Sequence, residues 1–146
     1  MPHSKLDDLP NGQERWPSIM SDGFKVAHWG DMEVALTVVP APFDCTEMYK
    51  TGGLPGGVCP CPHYGYVFEG RMRAVYPGSD WPDEVVQAGE AYFIPAGHVL
   101  VYEQASRVLE FNPAHALQMC MDAMERSSAK FRTAGREIPG ETEDEK

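Results

Sequence analysis

The chain has 146 residues, 42% of them hydrophobic and 23% charged, which is enough to build one domain with its own core. Its formal net charge of −10 opposes electrostatic binding to nucleic acid or to anionic lipid. No run of 18 apolar residues offers a membrane span, and no apolar segment of the secretory type opens the sequence, so the cytoplasm is the expected compartment.

Residues 1–30 are polar and read as an N-terminal arm. "EVALTVVPAPF", residues 33–43, is rich in β-branched side chains and ends at prolines, which predicts a strand. "KTGGLPGG", residues 50–57, is a loop by its glycines and proline. "YGYVFEGRMRAVYPG" then reads as strand, turn at Glu69-Gly70, and strand, and "SDWPD" as another turn. Residues 84–113 divide into four short β-rich pieces, separated by Ala88-Gly89, Pro95-Ala96-Gly97 and Gln104-Ala105-Ser106. Short strands with regular glycine and proline turns predict an all-β sandwich or barrel.

The end of the chain differs. Asn112 is placed to cap a helix and Pro113 to be its first residue, and Leu117, Cys120, Met121, Met124, Ser128 and Phe131 follow at helical spacing. A helix over residues 113–132 is expected to pack on the β domain or on a partner subunit. The tail, residues 133–146, contains "GETEDEK" and is expected to be flexible and solvated.

The stretch "GGVCPCPHYGYVFEG", residues 56–70, carries the chemistry. Cys59, Cys61 and His63 alternate, and alternate residues of an extended segment point to one side. Two thiols and an imidazole facing one way suit a metal ion, and they suit a packed wall as well. In a reducing compartment Cys45, Cys59, Cys61 and Cys120 are read as ligands or core residues before disulfides. Pro60 and Pro62 remove two ladder donors, which fits a bulge or an irregular edge.

That stretch, continued through "RMRAVYPG", and a second one, "AGEAYFIPAGHVLVY" (residues 88–102), resemble the two sequence motifs of the cupin family, small β-barrels of the jelly-roll type. In outline the first motif reads G-x5-H-x-H-x3,4-E-x6-G and the second G-x5-P-x-G-x2-H-x3-N. Anchored on Tyr66 and Val67, the first motif's histidines fall on Gly57 and Cys59, and its glutamate falls on His63. In the second, Gly89, Pro95 and Gly97 keep the spacing, while Leu100 and Gln104 occupy the histidine and asparagine slots. His98 lies two residues earlier, on the same side of the same expected strand. The resemblance covers about residues 50–112, and the C-x-C-P-H variant resembles small bacterial single-domain cupins. It implies an all-β fold, a cupin/jelly-roll β-barrel over residues 31–112, with one C-terminal α-helix.

The implied metal ligands are Cys59, Cys61, His63 and His98. Thiolate and imidazole donors suit tetrahedral zinc, with iron, copper or nickel as the other divalent candidates. On an ideal strand residues i and i+4 lie ~13 Å apart, so Cys59 and His63 share one ion only if the chain bends. Cys61 and His63 are therefore expected to meet His98 most readily, with Cys59 as the fourth ligand. Four protein ligands would make the ion structural or sensory; three would leave a position for water or substrate. The bland alternatives are packed thiols, a His63 bonded to a core carbonyl and a His98 that caps a turn.

Other residues carry weaker signals. His28 and His115 lack ligand-spaced neighbours, Glu33, Glu47 and Glu103 stand as isolated carboxylates, and Arg71 belongs to a turn or grips an anion. Tyr64, Tyr66, Tyr92, Phe93 and Tyr102 alternate along strands, so that some of them line the barrel. The expected function is a metal-binding single-domain cupin that holds a small organic molecule in the barrel, in a sensory or structural role. The alternative is a metal-dependent cupin enzyme, a dioxygenase, isomerase or lyase. The resemblance also implies a homodimer.

Overall fold

A computed structural model describes residues 2–19 and 23–139; the expected acidic tail from residue 140 onward and residues 1 and 20–22 lie outside the described residues. The chain is mostly β. Its strands are β1 (Phe24–Trp29), β2 (Met32–Val39), β3 (Phe43–Asp44), β4 (His63–Glu69), β5 (Arg71–Val75), β6 (Glu84–Gln87), β7 (Ala91–Ile94), β8 (Val99–Tyr102) and β9 (Ser106–Pro113). A short helix, α1 (Thr46–Thr51), interrupts them, and α2 (Ala114–Thr133) follows them.

Two antiparallel sheets form, one in the order β1-β2-β9-β4-β7 and the other in the order β3-β8-β5-β6. Inward-facing apolar side chains from both, among them Val26, Ala35, Val67, Met72, Ile94, Leu100 and Val108, join one core. Burial alternates cleanly along β9, where Ser106, Val108, Glu110 and Asn112 face inward. Hydrogen-bonded pairing closes no barrel among the described residues; a bridge between Cys59 and His98 ties the two layers at a corner.

Several expectations shift. The sheet begins within the presumed arm, because Phe24–Trp29 pairs along its whole length with β2 across the Gly30-Asp31 turn, where Gly30 takes φ 62°. The expected strand over residues 33–43 is divided, with β2 ending at Val39 and β3 pairing with β8. Helix α1 escaped the sequence reading because six residues are too few to display a period. It buries Met48 and Tyr49, and its following Gly52 packs so closely on α2 that a Cβ there would stand 2.3 Å from the Ala123 carbonyl oxygen.

Helix α2 begins one residue later than expected, without a side-chain cap, because Asn112 points into the interior instead. It packs on the β domain through Leu117, Cys120 and Ala123. The N-terminal segment straps it down: Trp16 Nε1 donates to Asp122 Oδ1 at 2.7 Å, and the Ser18 amide donates to Glu125. The start of the tail also folds back, burying Ile138 against Met48 and Phe131.

Gly65, at the centre of β4, is required by the register. It pairs with Tyr92 on one side and Glu110 on the other, so the Tyr92 side chain crosses above it. A Cβ at residue 65 would meet the Tyr92 ring at 2.5 Å and the Leu109 carbonyl oxygen at 2.6 Å. Gly65→Ala should therefore destabilise the protein by about 1–3 kcal/mol, the usual range for overpacking a core. Thermal unfolding checks this, and a variant as stable as the parent would mean that the Tyr92 ring moves aside at no cost.

Candidate metal centre and adjoining cavity

The register that places Gly65 also assembles the site. On the inner face, one row across the large sheet holds Ile94 and His63, with Asn112 and Glu33 beyond them. The next row holds Tyr92, Gly65, Glu110 and Ala35. His63, Asn112 and Glu110 thus converge from neighbouring strands, all three buried. Tyr92 Oη donates to Glu110 Oε1 at 2.7 Å, and Asn112 Nδ2 donates to Glu110 Oε2 at 3.1 Å. His63 Nδ1 lies 2.9 Å from Asn112 Oδ1 and 3.3 Å from Glu110 Oε2, so this nitrogen carries a proton and donates.

With its Nδ1 committed outward, His63 turns Nε2 toward Cys59, 3.6 Å from Sγ. His98 is fixed in the same way. Its Nδ1 donates to the Pro95 carbonyl at 2.7 Å, which leaves Nε2 as the lone-pair nitrogen. That Nε2 is fully buried and has no hydrogen-bond partner. The donor atoms of Cys59, His63 and His98 all lie within 4.8 Å of one another. The two imidazole rings stand 4.9 Å apart between centroids and tilt by 59°.

The expected ligands are thus divided. Cys59, His63 and His98 come together, whereas Cys61 does not join them; its Sγ lies 3.2 Å from the Pro62 carbonyl oxygen, inside the core. The expectation had Cys61 nearer to the histidines because it assumed an ideal strand. Residues 59–62 instead precede β4, and the chain turns so that the Cys59 amide donates to the His98 carbonyl at 2.7 Å while the Gly97 amide donates to the Cys59 carbonyl at 2.8 Å. That local bridge fixes Cys59 beside His98.

Electrostatics favour charge in this pocket. Cys120 is the largest influence on Cys59; against the opposing effect of burial, and with help from His63, it brings the thiol well below its ordinary range. Cys120 is raised correspondingly, first by Cys59 and then by burial. Burial works against charge on His63, but the Glu110 carboxylate and the Cys59 sulfur raise its pKa well above the usual value. Glu110, despite burial, is lowered to about 2 by His63 and by the bonds from Tyr92 and Asn112. Burial pushes the Cys61 thiol up, which keeps it neutral.

The donor set fits a tetrahedral cation. Bonds of about 2.3 Å to sulfur and 2.0 Å to nitrogen separate the two ligand atoms by about 3.5 Å at a tetrahedral angle, close to the observed Cys59–His63 distance. Each histidine has its outer nitrogen on an oxygen acceptor, the arrangement that orients metal-bound imidazoles. The orphaned Nε2 of His98 is otherwise a buried polar atom with nothing to satisfy it.

A cavity of about 160 Å³ adjoins the cluster. His63 and Glu110 reach its wall, and Phe24, Val39, Leu100, Leu117 and Met121 supply apolar surface. Of the alternating aromatics, Tyr102 lines the cavity and Tyr92 supports Glu110, while Tyr64, Tyr66 and Phe93 lie on the outer face. Of the three carboxylates expected to be isolated, two are paired, Glu33 with Arg15 and Glu103 with both Arg71 and Arg73, so Arg71 is engaged on the surface. His28 and His115 are exposed, with His28 Nδ1 3.5 Å from Glu33. Glu110 and Asn112 were missed by the sequence reading. Their signal was the period-2 alternation that puts both on the inward side with Val108.

No known family profile matches the chain, and no curated protein does. Among solved structures it is similar to a cupin-2 domain containing protein from Shewanella frigidimarina, at 20% identity over 62% of this chain and 78% of that one, with a TM-score of 0.40. It is also similar to a conserved protein with a double-stranded β-helix domain from Klebsiella pneumoniae, at 13% identity, 80% and 93% coverage and a TM-score of 0.46. A protein of unknown function from Rhizobium leguminosarum gives 14% identity, 77% and 94% coverage and a TM-score of 0.46.

Because Glu110 is the group that raises His63, Glu110→Gln should lower the His63 pKa in metal-free protein, while burial continues to oppose the charge. Imidazole resonances followed through a pH titration by NMR measure this. An unchanged His63 pKa in the variant would show that another group holds the proton there.

Proposed function

We propose that this chain is a metal-binding, cupin-type β-barrel protein in which Cys59, His63 and His98 hold one divalent ion, zinc first among the candidates. The observation that carries this reading is the buried, unpartnered His98 Nε2 beside the Cys59 sulfur and His63 Nε2. A thiolate with two neutral imidazoles is a borderline-soft donor set suited to zinc, with copper, iron and nickel as competitors. His63 binds in its neutral form through Nε2, and Glu110 and Asn112 hold its Nδ1 proton and so fix the ring. Cys61 serves as packing.

Three protein ligands leave one tetrahedral position for water or a small molecule. When bound there, the ion supplies Lewis-acid polarisation of a ligand oxygen or lowers the pKa of a bound water. His63, shared between cluster and cavity, brings the organic ligand and the ion together. This arrangement favours metal-dependent chemistry on a small molecule over a saturated structural site.

Cobalt titration of reduced, metal-free protein tests the ligand set. One equivalent should produce the intense visible bands of a tetrahedral site and thiolate charge-transfer absorption, and zinc should displace it. Cys61→Ser should bind as the parent does, and Cys59→Ser and His98→Ala should each lose at least tenfold in affinity. Equal loss in Cys61→Ser, or no bound metal in the parent, would overturn the assignment.

One observation supports a second reading, as an oxidant-responsive site. Cys120, on helix α2, is buried in the same core as Cys59 and is the largest influence on the ionisation of its thiol. A peroxide could oxidise the two thiols to a disulfide, itself being reduced to water or alcohol, and so remove a metal ligand. On this reading, hydrogen peroxide should release the metal from the parent and much more slowly from Cys120→Ala; equal release from both would discard it.

A further inference from the structure

The inner face of the large sheet is taken up by the core and the candidate site, whereas half of its outer face has no cover. One row of outward side chains crosses that face from Val34 on β2 through Phe111 and Tyr64 to Phe93, and Tyr66 lies in the next row. Leu6 and Leu9 of the N-terminal segment pack over Val34 and Leu36, and the Arg107 guanidinium lies 4.8 Å from the centroid of the Phe68 ring. Among the described residues nothing closes the half carried by β9, β4 and β7. There Tyr64, Tyr66, Phe93 and Phe111 are 46%, 40%, 53% and 46% exposed, and the Tyr64 and Phe93 rings stack at 4.8 Å.

Four half-exposed aromatic side chains of roughly 200 Å² each leave about 400 Å² of contiguous apolar surface. Trp81, Val85 and Met119, also exposed, lie singly in a turn, on β6 and on α2. A stable interface takes roughly 800 Å² from each partner, with an apolar core rich in aromatic residues inside a polar rim. The patch has the size and composition of such a core. None of the outward positions in these two rows on β9, β4 and β7 is charged, and that decides the partner. A basic protein, a nucleic acid or an anionic bilayer would find no counter-charge here. A second copy brings a formal charge of −10, which an acidic face would repel and this one does not. An uncharged sheet face is complementary to itself, as a two-fold interface requires, and sheet faces pack on one another with their strands nearly aligned. Within the chain, residues 140–146, "GETEDEK", have no apolar side chain to lay on the patch, and α2 turns Leu117, Cys120 and Ala123 to the β domain.

We infer that this chain forms a two-fold dimer through the outer face of β9, β4 and β7, with Tyr64, Phe93 and Phe111 at the centre of the interface. The same three strands present His63, Tyr92, Glu110 and Asn112 on their inner face, so the partner's sheet backs the layer that carries the candidate site. The contact does not depend on an ion in the cluster.

Sedimentation velocity of the full chain over a micromolar concentration series tests this, with zinc and after chelation. The parent should sediment as a dimer in both conditions. Phe93→Glu and Phe111→Glu should each weaken the dimer at least tenfold, in protein shown by thermal unfolding to be folded. Phe93→Ser removes the ring without adding charge and should act in the same direction. Trp81→Glu and Met119→Glu place the same charge on exposed apolar positions elsewhere and should leave the dimer intact. A parent that is monomeric throughout, a dimer undiminished in every folded Phe variant, or equal dissociation by Trp81→Glu or Met119→Glu would overturn the proposal. A monomeric parent that floats with phosphatidylcholine vesicles would overturn it too, and would give the face to a neutral bilayer.

Discussion

A buried carboxylate sets the terms for the rest of this structure. Glu110 stands on the inner face of the large sheet, where an unpaired charge would cost several kcal/mol. Three donors answer it: the Tyr92 hydroxyl, the Asn112 amide and the His63 imidazole. Each arrives from a defined place in the sheet, two rows apart at most. Gly65 has no side chain, so Tyr92 can cross β4 and reach β9. Strand register, a single glycine and one acid are thus parts of one electrostatic solution.

The same solution orients the chemistry. Once Glu110 and Asn112 hold the Nδ1 proton of His63, Nε2 is left facing Cys59. The Pro95 carbonyl does for His98 what those two side chains do for His63. The two histidines come from different sheets, since His63 opens β4 and His98 immediately precedes β8. The Cys59–His98 bridge joins those layers at the corner where Pro60 and Pro62 prevent an ordinary ladder. A cluster at such a corner couples ligand geometry to the relative position of the sheets.

Helix α2 completes the pocket. Leu117, Cys120 and Met121 close one wall of the cavity. The helix is held from both sides, by α1 through the tight Gly52–Ala123 approach and by the N-terminal segment through Trp16 and Ser18. Movement of α2 would therefore alter cavity and cluster together, which links packing far from the ligands to the site itself.

Much of the architecture was legible in the sequence by itself. The strand pair around Gly70, the turns at Gly89 and Gly97 and the amphipathic helix follow from local rules: glycine supplies positive φ, β-branched runs extend, and apolar residues at helical spacing share a face. The same alternation brought Cys59, Cys61, His63 and His98 to notice. It could not choose among the cysteines, because an ideal strand has no bend and the turn that swings Cys59 to His98 is made by hydrogen bonds to a segment almost 40 residues away. Asn112 appeared as a cap, and Glu110 passed unremarked, since a lone acid in a strand announces nothing until its cross-strand neighbours are known. Local chemistry determined the elements and the kinds of donor atom present. Register between distant strands decided which donors meet, because hydrogen bonding and burial of charge act across space and have no signature in adjacent residues.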